Sequence, residues 1–362
     1  MRGLTLRIVV PLLLFSAVSW PQATKSARTP AAADGKTVKT LHLSPVDSVI
    51  AKSEVASSFV QPLFCDDDGN LYLSSDERAA AIRKLSSKGE RVALFQPTAN
   101  PDVKVSNTGY FSVTPEGDVY TIVFARDDMS RYVLAFKPDG TYREKIKLSP
   151  GFPWILATIT VFPNGTFLAT GQEYVREPGK PMLPLTAIFA ADGSMLKEVT
   201  LEDDEKINAL AADHDSRVTA ATNPLSNRAV SWGQAATAAD GNVYVMRWLS
   251  PAVFYAVSPG GEVIRRFEVD SGDSNFRPIA MHISGKRIAV LFYHPQTMEK
   301  VMKIVDLEGH EIAAYDEVRE NGKPKLGVLG LAFACYTSKP ERFTFLLAGE
   351  DHRIEMKFVE AR

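Results

Sequence analysis

The chain has 362 residues with 45% apolar and 23% charged side chains, an ordinary globular balance that excludes wholesale disorder, a collagen-like fold and a polytopic membrane protein. At roughly 150 residues per domain, this length holds either two ordinary domains or one large all-β or α/β unit. The 41 Lys and Arg against 43 Asp and Glu give a net charge of −2, so no basic excess draws the chain to nucleic acid.

The N-terminus reads Met1-Arg-Gly-Leu-Thr-Leu-Arg7, then an apolar run from Ile8 to Val18, with small residues at Ala17 and Ser19. A charged start, a short apolar stretch and a small-residue cleavage site make residues 1–19 a cleaved export signal, with an uncleaved anchor as the alternative. The run is too short to span a bilayer comfortably, and no Cys follows it to carry a lipid. Cleavage leaves 39 basic against 43 acidic side chains and no membrane span. Residues 20–33, rich in Ala, Thr, Pro and Ser, read as a tether, so the folded domain is expected over 34–362, in the periplasm or outside the cell.

A repeat follows. Apolar, β-rich runs flank polar-Gly turns at Asp68-Gly69, Glu116-Gly117, Asn164-Gly165, Asp240-Gly241 and, more weakly, Ser284-Gly285. Such dipeptides supply the positive φ of tight hairpins, while Val, Tyr, Phe and Ile suit a packed, pleated surface. A second set of turns alternates with the first, at Lys88-Gly89, Asp139-Gly140, Asp192-Gly193, Gly260-Gly261 and Glu308-Gly309, each followed by a more charged strand. Two hairpin turns per repeat mean four antiparallel strands, A to D, and alternating charge on D suits an outermost edge strand. The first-type glycines lie 48, 48 and 44 residues apart in the pairs Gly69–Gly117, Gly117–Gly165 and Gly241–Gly285. Four strands in roughly 40 to 50 residues are the size of a β-propeller blade.

The two ends complete each other. Asp34 to Leu43 matches the D pattern but has no A, B or C before it, whereas 327–336, 342–348 and 353–359 read as A, B and C with no D after them. Pairing Val38–Leu43 with Arg353–Val359 would close the ring and remove its open edges. The expected fold is therefore all-β: a six-bladed β-propeller with blades at 58–95, 108–148, 157–201, 234–269, 279–316, and 327–360 with 34–43. Residues 202–233 read as an inserted hairpin or a degenerate seventh blade, with a short helix over Asp204–Ala212 as a further alternative.

The Asp240-Gly-Asn-Val-Tyr-Val245 run and the later polar-Gly turn resemble the blade consensus of six-bladed propellers of the NHL-repeat and gluconolactonase (regucalcin-like) superfamily. The resemblance covers residues 34–360 and implies the fold. Enzymes of that superfamily hold a divalent, calcium-like cation on carboxylates and amides at the channel mouth, but no such ligand set can be matched here residue by residue.

In propellers the B-to-C and D-to-A connections gather around the channel on one face, where ligands usually bind. Here they carry Arg126, Arg131, Tyr174, Arg176, Arg247, Trp248, Tyr293 and His294, and Phe152, Trp154, Trp232, Phe276 and Arg277. Arg forks beside aromatic plates suit an anionic or carbohydrate-like ligand or a protein partner, while the plainer reading makes them cover for blade ends.

Other clusters are weaker. Asp213-His214-Asp215 and Asp66-Asp67-Asp68 read as polar turns, and Asn164-Gly-Thr166 is a glycosylation sequon in a tight hairpin. Asp127-Asp128 is the better metal candidate, although an ion pair with Arg126 or Arg131 is expected first. Cys65 and Cys335 fall on A strands that ring closure makes neighbours. Two buried free thiols are expected there, a disulfide being permitted in an oxidising compartment. No catalytic fingerprint is present. The sequence thus favours an exported, monomeric binding module without a cofactor, its partner an unknown protein, a carbohydrate or a small anion. The rivals are a cation-dependent lactonase or ester hydrolase and a polysaccharide lyase using Tyr174, Tyr293 or His294 as base.

Overall fold

The computed structural model describes residues 40–55, 63–75, 79–173, 183–201, 234–317, 319–320, 323–324, 331–348 and 353–361. The expected signal, tether and 202–233 insertion lie outside them. The described residues are all β apart from one 3₁₀ turn, Pro97–Ala99.

In chain order, β1 (Thr40–Val55) precedes four separate antiparallel sheets. The first holds β2 (Phe64–Cys65), β3 (Leu71–Ser74), β4 (Ile82–Leu85) and β5 (Arg91–Phe95). The second holds β6 (Val105–Val113), β7 (Val119–Ala125), β8 (Arg131–Phe136) and β9 (Tyr142–Ile146). The third holds β10 (Trp154–Val161), β11 (Phe167–Glu173), β12 (Leu183–Phe189) and β13 (Met195–Glu198). The fourth holds β14 (Gln234–Thr237), β15 (Val243–Arg247), β16 (Ala252–Val257) and β17 (Val263–Val269). Next come β18 (Arg277–Ser284), β19 (Arg287–Tyr293), β20 (Lys300–Asp306) and β21 (Glu311–Glu317), then a small hairpin of β22 (Arg319–Glu320) and β23 (Lys323–Pro324). The chain finishes with β24 (Ala332–Ser338), β25 (Glu341–Ala348) and β26 (Arg353–Ala361).

The turn glycines do what their positions require. All ten carry positive φ, from 57° at Gly285 to 91° at Gly309. Nine of these turns share one bonding scheme, seen at Thr114–Asp118: Gly117 N donates to Thr114 O and Thr114 N donates to Asp118 O, each at 2.9 Å. This is the three-residue hairpin in which a left-handed residue forms the bulge. The preceding Asp reinforces it, as Asp139 Oδ1 accepts from Thr141 N and Asp192 Oδ1 from Ser194 N, both at 2.9 Å. The weaker copy is a different turn, because Ser284 pairs directly with Arg287 in a two-residue hairpin.

Ring closure differs from the expected register. Of the described residues of that segment, Thr40–Leu43, only Leu43, at its edge, reaches β26, opposite Ala361. The antiparallel pairing runs on from there through Ala51↔Ile354 to Val55↔Arg353. Thr40–Leu43 instead lie parallel to Ala314–Glu317 on the outer edge of β21. A single 16-residue strand therefore joins two segments expected as separate blades into one eight-stranded sheet, β18-β19-β20-β21-β1-β26-β25-β24.

The core lies between sheets, as burial on both faces of the inner strands demands. Apolar layers fill each gap in turn, from Phe64, Phe95, Phe111 and Phe136 between the first two sheets to Leu71, Leu85, Ala334, Met356 and Phe358 between the last segment and the first. The result is a propeller-like ring of antiparallel four-stranded units. At its seam the expectation of free thiols is overturned: Cys65 and Cys335, with Cα atoms 5.4 Å apart, are joined by a disulfide.

Candidate functional site

First strands of neighbouring sheets run side by side with like ends together. Thr237 Oγ1 donates to Val161 O at 2.7 Å near the ends of β14 and β10, and Ser284 and Ser338 hydroxyls meet at 3.2 Å near the ends of β18 and β24. The described second-to-third-strand connections and first-strand entries therefore share one face, and the first-to-second-strand turns share the other.

On the first face, Arg277 pairs across the ladder with Tyr293, and His294 follows, its ring edge-on to Phe276 at 5.2 Å. His294 Nδ1 accepts from Gln296 N at 3.3 Å and Thr297 N at 3.2 Å, which leaves the proton of the neutral ring on Nε2. Tyr293 Oη donates to Met298 Sδ at 2.7 Å while Lys300 Nζ sits 5.3 Å from the ring centre. Arg277 is exposed, and Trp248 at the end of the fourth sheet's second strand is 42% exposed. Two connections on this face carry methionines, Met129 and Met298, 86% and 64% exposed and held at φ 57° and 61°. Bulky residues seldom adopt that backbone.

Several sequence candidates are committed to the fold instead. Arg131 donates to Leu156 O of the next sheet and lies 4.4 Å above the Phe124 ring; burial lowers its pKa. Trp154 donates Nε1 to Leu148 O at 3.0 Å and stacks on Phe189 at 5.2 Å. Gly171 makes room for that ring, since a Cβ there would lie 2.8 Å from it. Arg247 is only 2% exposed. Arg126 is exposed, its amide bonded to Lys104 O at 2.8 Å. Tyr174, Arg176, Trp232 and Asp213–Asp215 lie outside the described residues.

The aspartates expected to face Arg126 or Arg131 have other partners. Asp127 is 3.4 Å from Lys104 Nζ, and Asp128 accepts from Tyr132 Oη at 2.5 Å and Ser130 N at 3.0 Å, which holds its carboxyl below the usual range. These contacts do not make a cation site. Among the described residues no three His, Cys, Asp or Glu side chains converge to hold a metal.

The opposite face carries what sequence reasoning missed. A cavity of about 110 Å³ is walled by Phe64, Val113, Met281 and His282, with Asp66 and Asp67 at its edge. None of the described residues singled out for the ligand face lines it. Gln234 ties β14 to β18, donating to Met281 O at 2.9 Å and accepting from Met281 N at 2.8 Å. His282 is 5% exposed, with Nε2 3.2 Å from Phe333 O, and burial pushes its pKa down to about 4. The available signal was position: the turn-proximal ends of β2, β6, β14 and β18 meet at one place.

No family model matches the chain, and no curated protein matches it. Solved structures do. A protein of unknown function from Dyadobacter fermentans aligns with 88% of this chain and 99% of its own at 12% identity, TM-score 0.47. A calcium-binding regucalcin from Agrobacterium tumefaciens aligns with 90% and 98% at 10% identity, TM-score 0.44. The PQQ-bound aldose sugar dehydrogenase of Streptomyces coelicolor aligns with 88% and 100% at 10% identity, TM-score 0.38.

Proposed function

We propose that the chain is an exported six-bladed β-propeller that binds a protein partner through the face bearing Trp248, Arg277, Tyr293 and His294. The six-blade reading is supported by how the eight-stranded sheet folds. Its two halves repeat the strand order of the separate sheets and pack on each other, with Leu291, Met302 and Tyr315 against Phe333, Tyr336 and Phe343. Export is supported by the N-terminal segment and by the Cys65–Cys335 bond, which belongs to oxidising compartments.

The binding reading rests on one observation. A Trp and two Met, each more than 40% exposed, share a face with the exposed Arg126 and Arg277. Trp and Arg dominate the binding energy of protein interfaces, and Met adapts to varied surfaces. Left in water, this apolar area is unfavourable; covered by a partner, it drives association.

Photo-crosslinking from position 298 in the source cell's envelope tests the face. A discrete adduct is expected, lost in the Trp248→Ala/Arg277→Ala double variant. Absence of any adduct, or one that the double variant retains, rejects the site. Arg247 is left intact because a buried Arg is needed by the fold.

A further inference from the structure

The cavity on the opposite face takes no part in that binding reading. Its walls come from the first, second, fourth and fifth first-strands, so it lies where the strands converge. What its polar atoms can offer follows from the bonds they already make. Gln234 uses both ends of its amide on Met281, and Thr237 gives its hydroxyl proton to Val161 O. His282 Nε2 faces the Phe333 carbonyl, which can only accept, so Nε2 carries the hydrogen and Nδ1 a lone pair. The ring stays neutral near pH 7, because burial disfavours its charged form.

Ser284, two residues after His282 and so on the same side of β18, donates its hydroxyl to Asp67 Oδ1 at 2.8 Å. Asp67 and His282 both line the cavity. Among the described residues no Lys or Arg lines that space, and Phe64, Val113, Pro115, Ala236 and Ile283 supply apolar wall beside the polar groups. A pocket that sets hydrogen-bond acceptors and negative charge beside hydrocarbon selects a cationic donor on a short apolar stem. Engineered apolar cavities of about 150 Å³ admit benzene, so about 110 Å³ suits a chain of three or four carbons.

We propose that this cavity binds the ammonium end of a short primary alkylamine, the nitrogen between Asp67 and His282 Nδ1 and the stem against Val113 and Phe64.

The test uses the full mature chain labelled with ¹⁵N-histidine, and n-propylammonium as probe. Saturable movement of the His282 Nδ1 resonance is expected with the amine and not with n-propanol, which has the same stem without charge. Asp67→Asn, at the exposed mouth, and His282→Phe, which keeps the ring and removes the lone pair, should each weaken binding by about tenfold. If His282→Phe does not fold, Asp67→Asn decides the matter. No saturable shift in the wild type, an equal response to propanol, a response to calcium in place of the amine, or unaltered affinity in Asp67→Asn overturns the proposal. Amine binding should persist in the Trp248→Ala/Arg277→Ala variant, which separates this site from the protein-binding face.

Discussion

A buried histidine makes stability depend on pH. The unfolded chain binds a proton at His282 near the ordinary 6.5, whereas the folded chain resists it until about pH 4. Between those values the unfolded state carries more protons, so stability falls as the solution is acidified and is fully present above about pH 7. At about 1.4 kcal/mol per pH unit, the loss on going from pH 6.5 to 4 is about 3 kcal/mol. Urea unfolding at pH 7, 6 and 5 should show a shallower slope for His282→Phe than for the wild type; identical slopes would rule out a buried neutral ring. The turn glycines offer a second contrast at this scale. Gly140 and Gly241 both need the left-handed backbone, with φ of 90° and 81°. A Cβ on Gly241 meets nothing within 4 Å, while one on Gly140 collides with the Leu94 carbonyl of the preceding sheet. Gly241→Ala is expected to cost about 1 kcal/mol, from backbone conformation alone. Gly140→Ala should cost about 3 kcal/mol because overpacking adds to it. Equal urea midpoints for the two variants would show that Gly140 does not pack against its neighbour.

Among the elements, β1 has the largest task. It supplies the outer strand of the last segment through residues 43–55 and adds a parallel strand to β21 through residues 40–43. A chain starting at Ser44 keeps the antiparallel ladder, and amide exchange along β26 should stay slow. A chain starting after Val55 leaves β26 an open edge, and those amides should exchange with the solvent-exposed strands. Retained protection in the shorter chain would mean that β26 is held by β25 alone. The other sheets end in outer strands whose exposed charges discourage foreign strands. On β17, Ile264, Arg266 and Glu268 are exposed while the residues between them are not. On β9, Arg143, Glu144 and Lys145 are all exposed, with Arg143 Nη1 2.7 Å from Asp118.

For the whole molecule, closure is secured twice, by β1 on the outside and by the Cys65–Cys335 bond among the first strands, 270 residues apart in sequence. Cross-linking so long a loop restricts the unfolded chain, and losing it should cost about 3–5 kcal/mol. Equilibrium unfolding with and without dithiothreitol measures this. The oxidised midpoint should be the higher, and Cys65→Ala/Cys335→Ala should match the reduced protein and ignore the reductant. If the wild-type midpoint does not change on reduction, the bond contributes nothing to holding the ring.

Ten turn glycines, the four-strand repeat and the charged outer strands were legible in the amino-acid order, because hairpin geometry and the two-residue period of a strand depend on adjacent residues. The idea that the two ends meet was legible too, but not its register. Asp34–Leu43 matched the outer-strand pattern, and only the folded chain shows the longer run to Val55 taking that role. The merged eight-stranded sheet, the disulfide, the commitment of Arg131 and Trp154 to bonds between sheets, the burial of Arg247, and the cavity beside His282 were decided in three dimensions. Each depends on side chains from strands far apart in sequence, brought together only when the ring closes, and no local pattern of residues encodes which of them will touch.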